Sequence, residues 1–201
     1  MIWLNETNGA DKVELEYGKK CLKFKGHING AIMGSAYGGS VEAFAKLWKG
    51  RGTIYGFDTF EDLHPGHLAD DTASFEAICM DHWYHEDRFG KDKLRIEYQR
   101  EELDSQGLDN AILIKGEVHK DSCKDIDKLH YVFLDMDIPQ SMRNGYLAVK
   151  DRIVKGGYLL LHDIQNIKSV RDWYEAEVDQ SLWTKSKKSY DGNLLTVLKR
   201  K

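Results

Sequence analysis

The stretch Ala31-Ile-Met-Gly34-Ser-Ala-Tyr-Gly38-Gly39-Ser40-Val41-Glu-Ala-Phe44-Ala-Lys-Leu47-Trp48 carries three signals in a row. Ala31–Met33 reads as a short buried strand, and the glycines read as a turn. Val41, Phe44, Leu47 and Trp48 recur on one face of a helix that Ser40 could cap. Strand, glycine turn and helix in this order open many nucleotide sites, because the helix N-terminus offers free backbone N–H groups to a ligand. The spacing is G-x-x-x-G-G, with Ala36 where a dinucleotide fingerprint has its second glycine. That disfavours a pyrophosphate. A Walker loop is excluded, since no Gly-Lys-Ser/Thr follows.

Working outward, Gly50 and Gly52 end the helix and Thr53–Phe57 reads as a second strand. Asp58 closes that strand. A carboxylate there can accept hydrogen bonds from both ribose hydroxyls, or it can simply cap the next helix. Beside the glycines, the ligand reading is the better one, and the turn then suits a nucleoside whose adjoining group is not a phosphate. Residues 64–93 break the rhythm with a polar, histidine-rich and aromatic run that predicts a cap or lid excursion over the surface. His64, His67, His82 and His85 are read there as exposed, and Trp83, Tyr84 and Phe89 as packing the cap down.

The rest of the chain alternates. A helical stretch around Leu94–Leu108 leads to a strand at Ala111–Lys115, and Leu129–Leu134 forms the next. A helix near Met142–Val154, stopped by Gly156-Gly157, precedes a strand Tyr158–Leu161 that ends in His162-Asp163. A last helix, about Val170–Val178, carries Trp173 and Tyr174 as core residues, and Asp191-Gly192 between strand-like runs predicts a hairpin. The sum is a single α/β domain over 1–201: a Rossmann-like, doubly wound, mainly parallel sheet with a C-terminal antiparallel hairpin.

A formal charge of −4 gives no sign of a nucleic-acid or membrane partner, and the basic Lys199-Arg200-Lys201 end reads as solvated. No apolar run reaches a transmembrane length, and the start lacks the pattern of a signal peptide. Cys21, Cys79 and Cys123 are odd in number and far apart, which suits reduced thiols in a cytoplasmic protein. Asn5-Glu6-Thr7 fits a glycosylation acceptor in form only.

Gly34–Ser40 followed by Tyr55-Gly-Phe-Asp58-Thr-Phe-Glu61-Asp-Leu63 resembles the class I S-adenosylmethionine-dependent methyltransferases, most nearly the macrocin-type O-methyltransferases. Val132-Phe-Leu-Asp135-Met-Asp137 and Ile153-Val-Lys-Gly-Gly-Tyr-Leu-Leu-Leu-His162-Asp163-Ile164 resemble that family's acidic strand end and its later glycine-strand-acid element. The likeness covers roughly residues 30–200, in the right order. It implies S-adenosyl-L-methionine as cofactor, with Gly34, Ser35, Gly38, Gly39 and Ser40 around its methionine part. It further implies Asp58 on the ribose, Glu117 and His119 beside the adenine, Asp135 among the cofactor-binding residues, and Asp135, His162 and Asp163 where metal-dependent members place their divalent-ion ligands. Ile32 stands where the family's first motif often has an acid, and Ile138-Pro139 replaces the aromatic that commonly follows the acidic pair.

The strands ending at Leu134 and Leu161 should be neighbours, which brings Asp135, Asp137, His162 and Asp163 over one cleft. Asp135, His162 and Asp163 are the candidate catalytic residues and the candidate ligands of Mg2+ or Mn2+, with Asp137 ranked behind them. An ion there would orient a hydroxyl and lower its pKa; alternatively His162 is itself the general base. The expected activity is methyl transfer to the hydroxyl of a small molecule. A nicotinamide-dependent oxidoreductase would share the strand-turn-acid logic, and a non-catalytic S-adenosylmethionine-binding protein is the third reading. The acceptor is not written in the sequence, and a homo-oligomer is compatible with it.

Overall fold

The computed structural model describes residues 9–36, 38–60, 95–165, 167–190 and 193–201. The expected excursion at 64–93, with its histidines and Cys79, and the Asp191-Gly192 turn lie outside the described residues. The order is α1 (Gly9–Cys21), β1 (Ile28–Met33), α2 (Gly39–Leu47), β2 (Gly52–Asp58), α3 (Ile96–Ser105), β3 (Ala111–Lys115) and β4 (Leu129–Leu134). Then come α4 (Pro139–Val149), β5 (Ile153–Leu161), α5 (Lys168–Glu177), β6 (Trp183–Tyr190) and β7 (Asn193–Arg200).

All seven strands form one sheet in the order β3-β2-β1-β4-β5-β7-β6. The pairs among β1 to β5 are parallel, and β7 runs antiparallel between β5 and β6. This is the expected mainly parallel sheet with its antiparallel hairpin. β4, Leu-His-Tyr-Val-Phe-Leu, is buried along its whole length, as a central strand covered on both faces must be. One face packs Phe44, Trp48 and Tyr131 against residues of α1 to α3. The other packs Tyr146, Trp173 and Tyr174 from α4 and α5 against Val132, Leu134 and Leu159. Trp173 and Tyr174 are core residues, as expected.

Four boundaries differ from the sequence reading. Gly38, not Ser40, is the N-cap of α2; it takes a left-handed conformation (φ 79°) and leaves Ser40 inside the first turn. Gly52 opens β2 instead of ending α2, pressed so close to the Ile28 carbonyl that a side chain would meet it at 2.4 Å. α4 starts at Pro139, whose missing N–H costs nothing in a first turn, and stops at Val149. Lys150–Arg152 make the turn back to the sheet, with the Leu129 N–H donating to the Arg152 carbonyl and the Arg152 guanidinium donating to the Ile126 carbonyl. Gly156-Gly157 therefore lie within β5, where the register against β4 shifts between Leu129 and Tyr131, and do not stop a helix. The sequence reading also has no element before Ala31, where the structure has α1 and the start of β1.

Candidate active site at the carboxyl edge of the sheet

β1, β2, β3, β4 and β5 all end on one edge of the sheet, and the chain order reverses between β1 and β4. Ligands bind at such switch points, because the loops leaving the two strands part in opposite directions. Here the two strand ends lie against each other. The Asp135 N–H donates to the Met33 carbonyl (2.9 Å), and a side chain at Gly34 would meet the Asp135 carbonyl oxygen at 1.8 Å. Gly34 also has φ 85°, so both conformation and space demand glycine there.

The glycine turn is tied to β2. Gly34 and Ser35 donate their N–H groups to the Phe57 carbonyl (3.0 and 3.2 Å), and the Ala36 N–H donates to Asp58 Oδ2 (2.8 Å). Asp58 Oδ1 accepts from the Phe60 N–H (3.0 Å), and the Asp58 carbonyl accepts from the Gly116 N–H (2.9 Å). Burial pushes the Asp58 carboxyl up from its ordinary value while those backbone N–H groups pull it back. Thus Asp58 sits at the expected place but already organises the turn. Ser35 is buried and its hydroxyl has no hydrogen-bond partner. Gly39 is exposed with nothing within 4 Å of where a side chain would begin.

Past β3, Glu117 and His119 are exposed, with the His119 N–H held by Ser122 Oγ (2.8 Å). They follow the Gly116–Asp58 link in the chain. Ile32 is buried in the core below the turn.

At the ends of β4 and β5 the structure gathers Asp135, Asp137, His162 and Asp163, with one candidate ligand atom from each lying within 4.8 Å of the others. His162 Nδ1 lies 2.8 Å from Asp135 Oδ1 and 2.7 Å from Asp163 Oδ2. Burial alone would lower the His162 pKa, but the two carboxylates overcome it and raise it to about 11. Burial, then the neighbouring Asp135 charge and the hydrogen bond to Asp163, hold Asp137 well above the usual carboxylate range. Both shifts run in the direction that relieves a site that would otherwise crowd three negative charges. Asp137 is thus a full member of the group, which strand alternation alone does not reveal.

Strain marks the same edge. The non-glycine residues with positive φ among the described residues are Ala36 (43°), Phe60 (53°), Asp137 (56°) and Asp163 (54°), following β1, β2, β4 and β5 respectively. Such conformations persist only where the surroundings enforce them, and they collect at functional sites.

No protein-family model matches the sequence, and comparison with curated proteins gives no match. Solved structures do match. The O-methyltransferase NovP superposes with a TM-score of 0.69 at 15% identity, over 92% of this chain and 78% of that one. A TDP-rhamnose 3'-O-methyltransferase of calicheamicin biosynthesis gives 0.65 at 15%, over 94% and 78%. A putative rRNA methylase from Clostridium thermocellum gives 0.62 at 16%, over 98% and 100%. The fold is a methyltransferase fold.

Within that methyltransferase fold, one site residue escaped the sequence reading. Gln99 on α3 is buried, donates from Nε2 to the Ala36 carbonyl (2.7 Å), and packs its Oε1 over Gly38. The signal was available: Ile96, Gln99 and Leu103 share the buried face of α3, and a glutamine among core positions needs a polar partner. The two thiols among the described residues take no part. Cys21 and Cys123 are buried, with pKa values pushed up to about 12, so neither is a nucleophile near neutral pH. Among the described residues no helix is long and apolar enough to cross a membrane.

Proposed function

We propose that this chain is an S-adenosylmethionine-dependent methyltransferase of the macrocin O-methyltransferase type, acting on a hydroxyl of a small molecule with Mg2+ or Mn2+ in the acidic cluster. One observation carries the reading: the glycine turn and the carboxylate–imidazole cluster abut, with Gly34 packed directly on the Asp135 carbonyl. A cofactor on the turn and an acceptor at the cluster would be neighbours. Cys21 and Cys123, both buried free thiols, fit a cytoplasmic setting.

The residues fit both groups. For the cofactor there is a buried Ser35 hydroxyl in need of a partner, an open surface at Gly39 and Gly116, and spare lone pairs on Asp58. For the ion there are three carboxylates and one imidazole, an oxygen-rich set that suits Mg2+ or Mn2+. When bound, the cofactor supplies an electrophilic methyl group on a sulfonium, and the ion supplies a lowered pKa for a hydroxyl beside it. The chain does the positioning: Asp58 holds the turn and offers its carboxylate to a ribose, and Asp135 and Asp163 fix the His162 ring by Nδ1. Near neutral pH the ion-free His162 already carries its extra proton, so it cannot accept another. That argues against His162 as a simple base, and the same proton would have to leave before the ring could hold an ion.

Methyl transfer from labelled S-adenosylmethionine to a panel of hydroxyl compounds tests the proposal, with and without chelator. Activity that vanishes on chelation and returns with Mg2+ or Mn2+ is expected. Full activity of a metal-free preparation removes the ion. Binding of NADH instead of S-adenosylhomocysteine moves the chain to the oxidoreductases, and cofactor binding without turnover on any acceptor makes it a non-catalytic binder. RNA belongs in the panel because of the rRNA methylase neighbour, although a net charge of −4 opposes a phosphate-backbone substrate.

A further inference from the structure

Ala36 is held from both sides. Its N–H donates to Asp58 Oδ2 (2.8 Å) at the end of β2, and its carbonyl accepts from Gln99 Nε2 (2.7 Å) on α3. The residue between these bonds has φ 43°, a left-handed conformation that an alanine avoids and a glycine adopts freely. It occupies the turn position where dinucleotide-binding loops carry a glycine. The sequence lacks that glycine, yet the backbone takes the shape a glycine would give.

We infer that Gln99 is a positioning residue: with Asp58 it clamps Ala36 into the left-handed turn that shapes the cofactor loop. This rests on the methyltransferase reading above for the identity of the ligand, but the clamp itself is a property of the ligand-free fold. Gln99 reaches the loop twice, because a side chain on Gly38 would meet its Oε1 at 2.5 Å. It is also buried, so its amide is fixed and cannot swing to water. α3 thereby reaches the loop through one side chain. Packing alone would be served equally well by leucine or methionine at this place on α3. A donor directed at the Ala36 carbonyl gives the amide a role there that an apolar side chain could not fill.

The clamp makes a specific prediction about Ala36. If Gln99 and Asp58 hold a conformation that alanine resists, replacing Ala36 by glycine should make the clamp dispensable. Gln99→Glu keeps the size and removes the donor; Gln99→Ala removes both. Each should speed amide hydrogen exchange over residues 34–40, while exchange in β1 and β4 stays as in the parent and shows that the fold is intact. Each should also weaken S-adenosylhomocysteine binding by roughly three- to tenfold, the effect expected for one hydrogen bond. In the Ala36→Gly background the same substitutions should cost little in either measurement. A purely structural role for Gln99 would give equal losses in both backgrounds, and that result overturns the clamp. So does unchanged exchange in Gln99→Glu while S-adenosylhomocysteine still binds the parent protein. Failure of the ligand to bind any form, with the exchange pattern as predicted, instead overturns the cofactor role and with it the methyltransferase reading.

Discussion

Asp58 has two jobs at once, and the structure separates them. Its carboxylate accepts the Ala36 and Phe60 N–H groups before any ligand is considered. Asp58→Ala should therefore destabilise the ligand-free protein by about 1.5–3 kcal/mol, the range for hydrogen bonds to a charged group. Urea unfolding measures this; an unchanged midpoint would mean the carboxylate serves the ligand alone. Gly34→Ala should be harsher. The added carbon meets backbone, which cannot rotate away, and the left-handed φ alone costs an alanine about 1–2 kcal/mol. Loss of S-adenosylhomocysteine binding together with a lower urea midpoint is the expected pair of results. At this scale the sequence was informative where chemistry sits at a strand end, as at Asp58, Asp135, His162 and Asp163. It placed Asp137 at the cleft but behind the other three, and it was silent on Gln99. Asp137 reaches the cluster through a turn at φ 56°, and Gln99 reaches the loop from a helix far away in sequence.

Among the elements, the buried strands were the most legible, because apolar runs of β length flanked by turn residues have few other readings. Helix ends were not. Lys150-Asp-Arg152 reads as more helix, but the Arg152 guanidinium is spent on the Ile126 carbonyl and the chain has already turned. α1 went unseen because its packing face is interrupted by Gly18. The structure explains that glycine: a side chain there would meet the Phe44 ring at 2.6 Å, and Phe44 is itself locked against Trp48 and Tyr131. Gly18→Ala thus sets two effects against each other. It gains about 1 kcal/mol of helix propensity and loses about 1–3 kcal/mol to overpacking. Since the Phe44 ring is fully buried with nowhere to move, we expect a net loss in the thermal midpoint, recovered when Phe44→Leu is added. A higher midpoint for Gly18→Ala alone would show that α1 can shift on the sheet.

For the molecule as a whole, the acidic cluster ties stability to pH. The folded pKa of His162 is raised to about 11 against an ordinary 6.5, so between those values the folded state holds more protons than the unfolded one. Its contribution is complete below about pH 6.5 and is lost as pH rises towards 11. Asp137, also raised, acts with the same sign. The thermal midpoint of chelator-treated protein should therefore fall from pH 6.5 to 9, and His162→Gln should flatten that slope; a midpoint rising over this range would contradict the proton placement. The overall topology was legible because strand-turn-helix repeats leave few ways to build a parallel sheet. The strand order has one more consequence, for synthesis. β1 lies between β2 and β4, and its partner on the β4 side arrives only with Tyr131–Leu134, about a hundred residues later in the chain. As the ribosome delivers the protein, the central strand must wait with one edge open through the whole of the β2–β3 half. That makes the nascent chain, and not the finished protein, the form most exposed to wrong partners and most dependent on chaperones.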